Sequence, residues 1–201
     1  MTLHGLKLNA SASLLYRKFI APFERVHFAD PKSISTYCKN LDKKMGIYNE
    51  NWDDLSSDLL ANSKFQDLLL HWKLGINISE TSLINNMLTR IHQNSGEYKG
   101  LKSKNDVINY YEKFDQIYLC VKEKGLEIPP SMTFFNLDSF KMDGIAVDIN
   151  YDGKLLFTGR GTHRLAMAQS ASLEIIPIYV RKLHLESLQN RVWDKFLVKS
   201  K

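Results

Sequence analysis

Cysteine is scarce in this chain: the only two, Cys38 and Cys120, lie far apart. Such a pair builds no disulfide framework and no zinc knuckle, and reduced thiols point to a cytoplasmic setting. The six histidines show no metal-ligand spacing. No apolar run reaches the roughly 18 residues that a membrane-spanning helix needs. Met1 to Phe19 lacks the sustained apolar core and cleavage site of a secretion signal, and Leu14, Leu15 and Phe19 suit a short packed helix instead. Lysine and arginine nowhere form the dense run of a nucleic-acid-binding arm. Internal repeats and low-complexity tracts are also missing, which excludes solenoids and compositionally disordered chains.

What is present is an ordinary globular balance. Hydrophobic residues make up 44% and charged residues 24% of 201 residues, enough for a sizeable core in one domain. The net charge of +5 and a pI near 9.1 admit an anionic partner without selecting one. Residues 181–201 carry six basic side chains against two acidic ones, expected as a solvated helix face.

Periodicity divides the chain. Val26-His27-Phe28 is a short β-favouring run, halted by Asp30-Pro31, and Ser33 to Lys44 reads as a helix begun by that proline. Gly46 to Asp54 is turn-rich and polar around Trp52. From Leu55 to Gly125 the pattern is mostly helical. Val107, Tyr110, Tyr111, Phe114, Ile117, Tyr118 and Val121 fall on one helical face, with Ser103 as cap and Gly125 as stop. That aromatic stripe is expected as core. Beyond Pro129-Pro130 the period changes from 3.6 to 2. Ile145, Val147 and Ile149 predict a half-buried strand, Asp152-Gly153 a hairpin turn, and Leu155 to Thr158 the returning strand. A helix over 162–172 and a strand over 175–180 follow, with Pro177 near the start of the strand. Leu185, Leu188, Val192 and Phe196 then share one helical face.

The chemistry concentrates where the second hairpin strand meets its helix. Gly159 and Gly161 flank Arg160 and permit a tight turn, and Thr162 is placed to cap the helix. Free N–H groups of a first helical turn, aided by the helix dipole, attract anions. Arg160, His163 and Arg164 add donors beside them, and an arginine fork matches two phosphate oxygens. On spacing alone, a solvated tight turn explains the same residues as well.

The string Asp143-Gly144-Ile145-Ala146-Val147-Asp148-Ile149-Asn150, then Asp152-Gly153, then Thr158-Gly159-Arg160-Gly161-Thr162-His163-Arg164-Leu165-Ala166-Met167-Ala168, then Ile176-Pro177-Ile178-Tyr179-Val180-Arg181, resembles the ParB/sulfiredoxin superfamily. Val26 to Ile34 is similar to that superfamily's opening strand. The resemblance implies an α/β (α+β) fold: one domain over 1–201 with a small mixed sheet, a core nucleotide-binding unit at 143–184 and a helical insertion over about 55–128. It also implies that the Gly-x-x-Arg turn binds nucleotide phosphates, so Gly159, Arg160, Gly161, Thr162, His163 and Arg164 become candidate phosphate-binding residues. Sulfiredoxins place a catalytic cysteine directly after the glycine; Thr162 stands there, so sulfinic-acid reduction is not expected. Chromosome-partitioning ParB proteins add a helix-turn-helix, and the residues after His184 are too few for one. Free serine kinases of this fold carry a Gly-His-His-Arg-like turn, to which Gly161-Thr162-His163-Arg164 is closest. The whole chain also resembles ParB-like proteins of surface-polysaccharide gene sets.

The resemblance therefore implies an ATP-dependent phosphotransferase, with CTP or ADP as alternative nucleotides and Mg²⁺ as cofactor, acting on a small hydroxylated or sugar-like molecule such as a glycan precursor. Such an enzyme needs a general base. Asp30 is the first candidate and Asp53 and Glu50 the second; a helix cap before Pro31 is the rival role for Asp30. The alternative is a nucleotide-gated, DNA-associated binding module without catalysis.

Overall fold

Strand-forming residues come in short bursts along this chain, and seven of them gather into one mixed sheet. The computed structural model describes residues 23, 26–38, 45–49, 55–126 and 144–198. β1 (His27–Ala29), β2 (Thr36–Cys38), β3 (Gly46–Tyr48) and β4 (Ser56–Asp58) come first. Three helices follow: α1 (Ser63–Leu74), α2 (Ser82–Gln93) and α3 (Lys104–Lys124). The hairpin of β5 (Ile145–Ile149) and β6 (Leu155–Phe157) then leads into α4 (Thr162–Ser170), β7 (Ile176–His184) and α5 (Leu185–Gln189).

The strand order is β1-β7-β5-β6-β2-β4, with β3 also paired to β7. β5 pairs β6 antiparallel and β7 parallel. The hairpin, the helix starting at Thr162 and the following strand in the same sheet match the sequence-based expectation. So does Pro177, second in β7 and opposite Phe28. β7 runs on to His184, beyond the predicted end at Val180.

Packing explains the layer order. Ile145, Val147 and Ile149 face the helices and share one core with Phe65 and Leu68 of α1, Tyr111 of α3 and Leu165 of α4. Asn62 caps α1, its side chain accepting from the Phe65 N–H at 3.1 Å. α3 starts on a capping box, with Ser103 Oγ accepting from Asp106 N–H and Asp106 Oδ2 accepting from Ser103 N–H. Gly125 ends it. The aromatic face of α3 packs as core, except Ile117, which is exposed.

Three local readings differ from the sequence expectation. Residues 34–38 are not helical: a single helical turn over Pro31–Ser33 gives way to β2. The β-favouring Thr36 and Tyr37 pair with Leu156 and Phe157 of β6, so tertiary pairing overrides the helical start signal. Residues 39–44 of that expected helix, Trp52 in its polar loop, and the expected short N-terminal helix lie outside the described residues. β5 is buried on both faces rather than one, because Asp148 is neutralised by a bidentate pair with Arg181 Nε and Nη2 at 3.0 and 2.7 Å. Burial pushes the Asp148 carboxyl up, against the opposing pull of Arg181. The last helix stops at Gln189, and Arg191 takes a positive φ of 57° where the helical face was expected to continue.

The hairpin turn depends on glycine. Gly153 has φ 90°, and a Cβ there would lie 2.1 Å from the Val192 carbonyl oxygen. The contact is with backbone, so nothing flexible can yield. Gly153→Ala is therefore expected to destabilise the protein by about 2 kcal/mol or more, read as a lowered urea midpoint at an unchanged m-value.

Candidate functional site

The turn after β6 is shaped by the close approach of Gly161 to β5. Gly161 has φ 83°, and a Cβ would lie 2.8 Å from both the Gly144 oxygen and Ile145 Cα. Only glycine fits this position. Gly161 is the residue that begins α4, and it has no side chain with which to cap the helix. Thr162 was expected as that cap. Instead its hydroxyl turns back and donates to the Gly159 carbonyl at 2.8 Å, bracing the turn. The first-turn amides of α4 are thus left without an acceptor among the described residues, and the helix dipole adds positive potential there.

Two arginines flank this helix end. Arg160 is exposed and donates from Nη1 to the Tyr179 hydroxyl at 3.3 Å. Arg164 is half-buried in the first turn of α4 and makes no hydrogen bond or ion pair within the described structure. Open helix amides beside an arginine fork are complementary to a small anion.

His163 faces the other way. Its ring stacks on Phe114 at 4.3 Å between centroids and meets the edges of Tyr111 and Trp72 at 6.0 and 6.3 Å. Trp72 is itself fixed by its Nε1–H, which donates to Asp115 Oδ1 at 2.9 Å. The Nε2 of His163 is buried, with no hydrogen-bond partner among the described residues. Burial, then the nearby Lys64 and Lys99, lowers its pKa to about 3. His163 is thus a neutral ring in an aromatic box that ties α4 to α1 and α3.

The expected bases are placed less directly. Asp30 Oδ1 accepts from the Lys32 N–H at 2.8 Å and caps the turn at Pro31. The Gln169 side chain donates to the carbonyls of Pro31 and Ile34, which puts Asp30 by the far end of α4. Seven helical rises, about 10 Å, separate Gln169 from Thr162. Glu50 and Asp53 lie outside the described residues. Ser56, shortly after Asp53 in the chain, pairs with Cys38 at the end of β2. β2 runs parallel to β6, so β4 starts at the same sheet end as the turn. Among the described residues, no three His, Cys, Asp or Glu side chains group as a metal site. Sequence reading missed Lys64, Arg90 and Lys99, which converge on one cavity. They come from α1, α2 and the loop before α3, and no spacing rule links them.

The neutral His163 makes a signed prediction. The unfolded chain takes up a proton near the ordinary histidine value of 6.5, while the folded chain resists it down to about 3. Stability due to this ring is whole above pH 6.5 and is lost as pH falls toward 3, by at most about 1.4 kcal/mol per pH unit. Urea unfolding at pH 7, 5 and 4 is expected to show a shallower acid loss in His163→Phe than in the wild type.

No protein-family model, curated protein or solved structure matches the chain.

Proposed function

We propose that the turn from Thr158 to Arg164 holds the phosphates of a nucleotide, and that the protein transfers a phosphoryl group to a small hydroxylated or sugar-like acceptor. The observation that carries this reading is the start of α4, uncapped among the described residues, beside an Arg164 that has no hydrogen-bond or ion-pair partner among them. A helix N-terminus and a guanidinium fork are complementary to phosphate oxygens. The succession of β1, hairpin, Gly-x-x-Arg turn, helix and β7 supports a ParB/sulfiredoxin-like fold, from which the nucleotide assignment comes.

In the proposed reaction the acceptor oxygen forms a bond to the γ-phosphorus as the bond to the bridging oxygen breaks. The nucleoside diphosphate leaves, and the acceptor proton passes to a carboxylate. Asp30 is the first candidate base, since β1 ends at the sheet end that carries the turn. Asp53 and Glu50, which lie outside the described residues, are the second candidates. No step is assigned to a metal ion.

ATP or CTP with Mg²⁺ at millimolar concentration is expected to raise the melting temperature. Arg164→Ala removes a charge-assisted contact and is expected to weaken nucleotide binding about tenfold to a hundredfold, with the apo protein still folded. If neither nucleotide shifts the wild type, the reading fails. Asp30→Asn is expected to abolish nucleotide consumption while nucleotide affinity holds, and consumption that survives moves the base to Asp53 or Glu50. Absence of consumption with every hydroxyl acceptor, together with salt-sensitive duplex DNA binding, would instead identify a DNA-associated module.

A further inference from the structure

A cavity of about 370 Å³ opens between α1, α2 and α3, at the lower end of the range for small-molecule sites. Lys64, Arg90 and Lys99 line it, and among the described residues no aspartate or glutamate does. Among the described residues none of these three cations has a carboxylate partner.

This placement is unfavourable for an empty protein. Like charges share one cleft, and Lys64 sits in the first turn of α1, where the helix dipole opposes a cation. Although Lys64 is open to solvent on one side, partial desolvation in the cleft, then Lys99 and Arg90, lowers its pKa to about 8. The cations are also held in position. Arg90 Nη1 donates to the Tyr98 hydroxyl at 3.1 Å, and Lys99 Nζ lies 5.6 Å from the centre of the same ring. Lys99 takes φ 55° at the tip of a turn closed by Tyr98 and Leu101, whose backbones exchange hydrogen bonds of 2.9 and 3.0 Å. A non-glycine residue at positive φ is uncommon and carries strain, which surrounding contacts must hold.

The rest of the wall is mixed, with Leu83 and Met87 as apolar surface among polar groups, which suits a body carrying both hydroxyls and C–H faces. Asn86 and Gln93 supply amides, and Tyr98 and Tyr110 supply ring faces beside hydroxyls. We propose that this cavity binds a small phosphate ester with a hydroxylated body, a sugar or polyol phosphate, whose phosphate sits among Lys64, Arg90 and Lys99. The assignment stands on the cavity alone and does not depend on nucleotide binding at the α4 turn.

Calorimetric titration of the full chain with glucose 6-phosphate, glycerol 3-phosphate, inorganic phosphate and glucose tests it. At least one of the two esters is expected to bind saturably, inorganic phosphate about tenfold more weakly, and glucose not at all. Lys64→Gln and Arg90→Gln are each expected to cost the esters about tenfold or more in affinity, with unchanged circular dichroism. Arg164→Ala is expected to leave ester binding intact, which separates this site from the nucleotide turn. Lys64→Gln is further expected to raise the melting temperature of the ligand-free protein, because it relieves repulsion. Failure of both esters to bind at about 10 mM overturns the proposal, as does affinity indifferent to both variants. Inorganic phosphate binding as tightly as the esters overturns the hydroxylated body. A lower melting temperature in ligand-free Lys64→Gln overturns the reading of the cluster as one that needs an anion.

Discussion

The approach of Gly161 to Gly144 and Ile145 is the constraint from which the rest follows. It sets the point at which the chain leaves the hairpin and turns into α4. α4 then runs from the end of β6 toward the turn after β1, where Gln169 holds the carbonyls of Pro31 and Ile34. With the helix start pinned on β5, the face of α4 that each first-turn residue occupies is fixed. His163 is driven into the ring cluster of α1 and α3, while Arg164, one residue on, stays half-buried. A side chain at 161 would move this whole junction, because its nearest obstacles are backbone atoms.

The sheet behind the junction is unusual in its second face. Asp148 and Arg181 lie inside it as a bidentate pair, with Lys182 also buried and its ammonium 4.5 Å from the centre of the Tyr48 ring. Removing either partner of such a pair leaves a buried uncompensated charge, which is more costly than the pair is favourable. The pair links β5 and β7, the two strands between which register shifts after Val147. A rigid sheet is what keeps the Gly161 contact, and with it the helix end, in a fixed position.

Much of the fold was legible because its signals are local. Period-two alternation at Ile145, Val147 and Ile149, the Asp152-Gly153 turn and the Ser103 cap each act within a few residues. The aromatic face of α3 was likewise visible as core. The helix expected over 33–44 failed within its described part because Thr36 and Tyr37 have partners in β6 that lie far away in sequence. The half-buried reading of β5 failed for a similar reason. An aspartate in a strand points to water unless a distant arginine meets it, and Arg181 does so.

The candidate site divides along the same line. The sequence by itself determined that a glycine-rich turn opens a helix with arginines beside it, since glycine dihedrals and helix starts are properties of neighbouring residues. Only the tertiary structure decided that Thr162 braces the turn instead of capping the helix, that His163 is an aromatic-box residue, and that Gln169 of α4 holds the turn that follows Asp30. It alone brought Lys64, Arg90 and Lys99 to one cavity. The direction of a side chain depends on which distant surface its helix packs against, and that packing is settled by the sheet order, which no local pattern encodes.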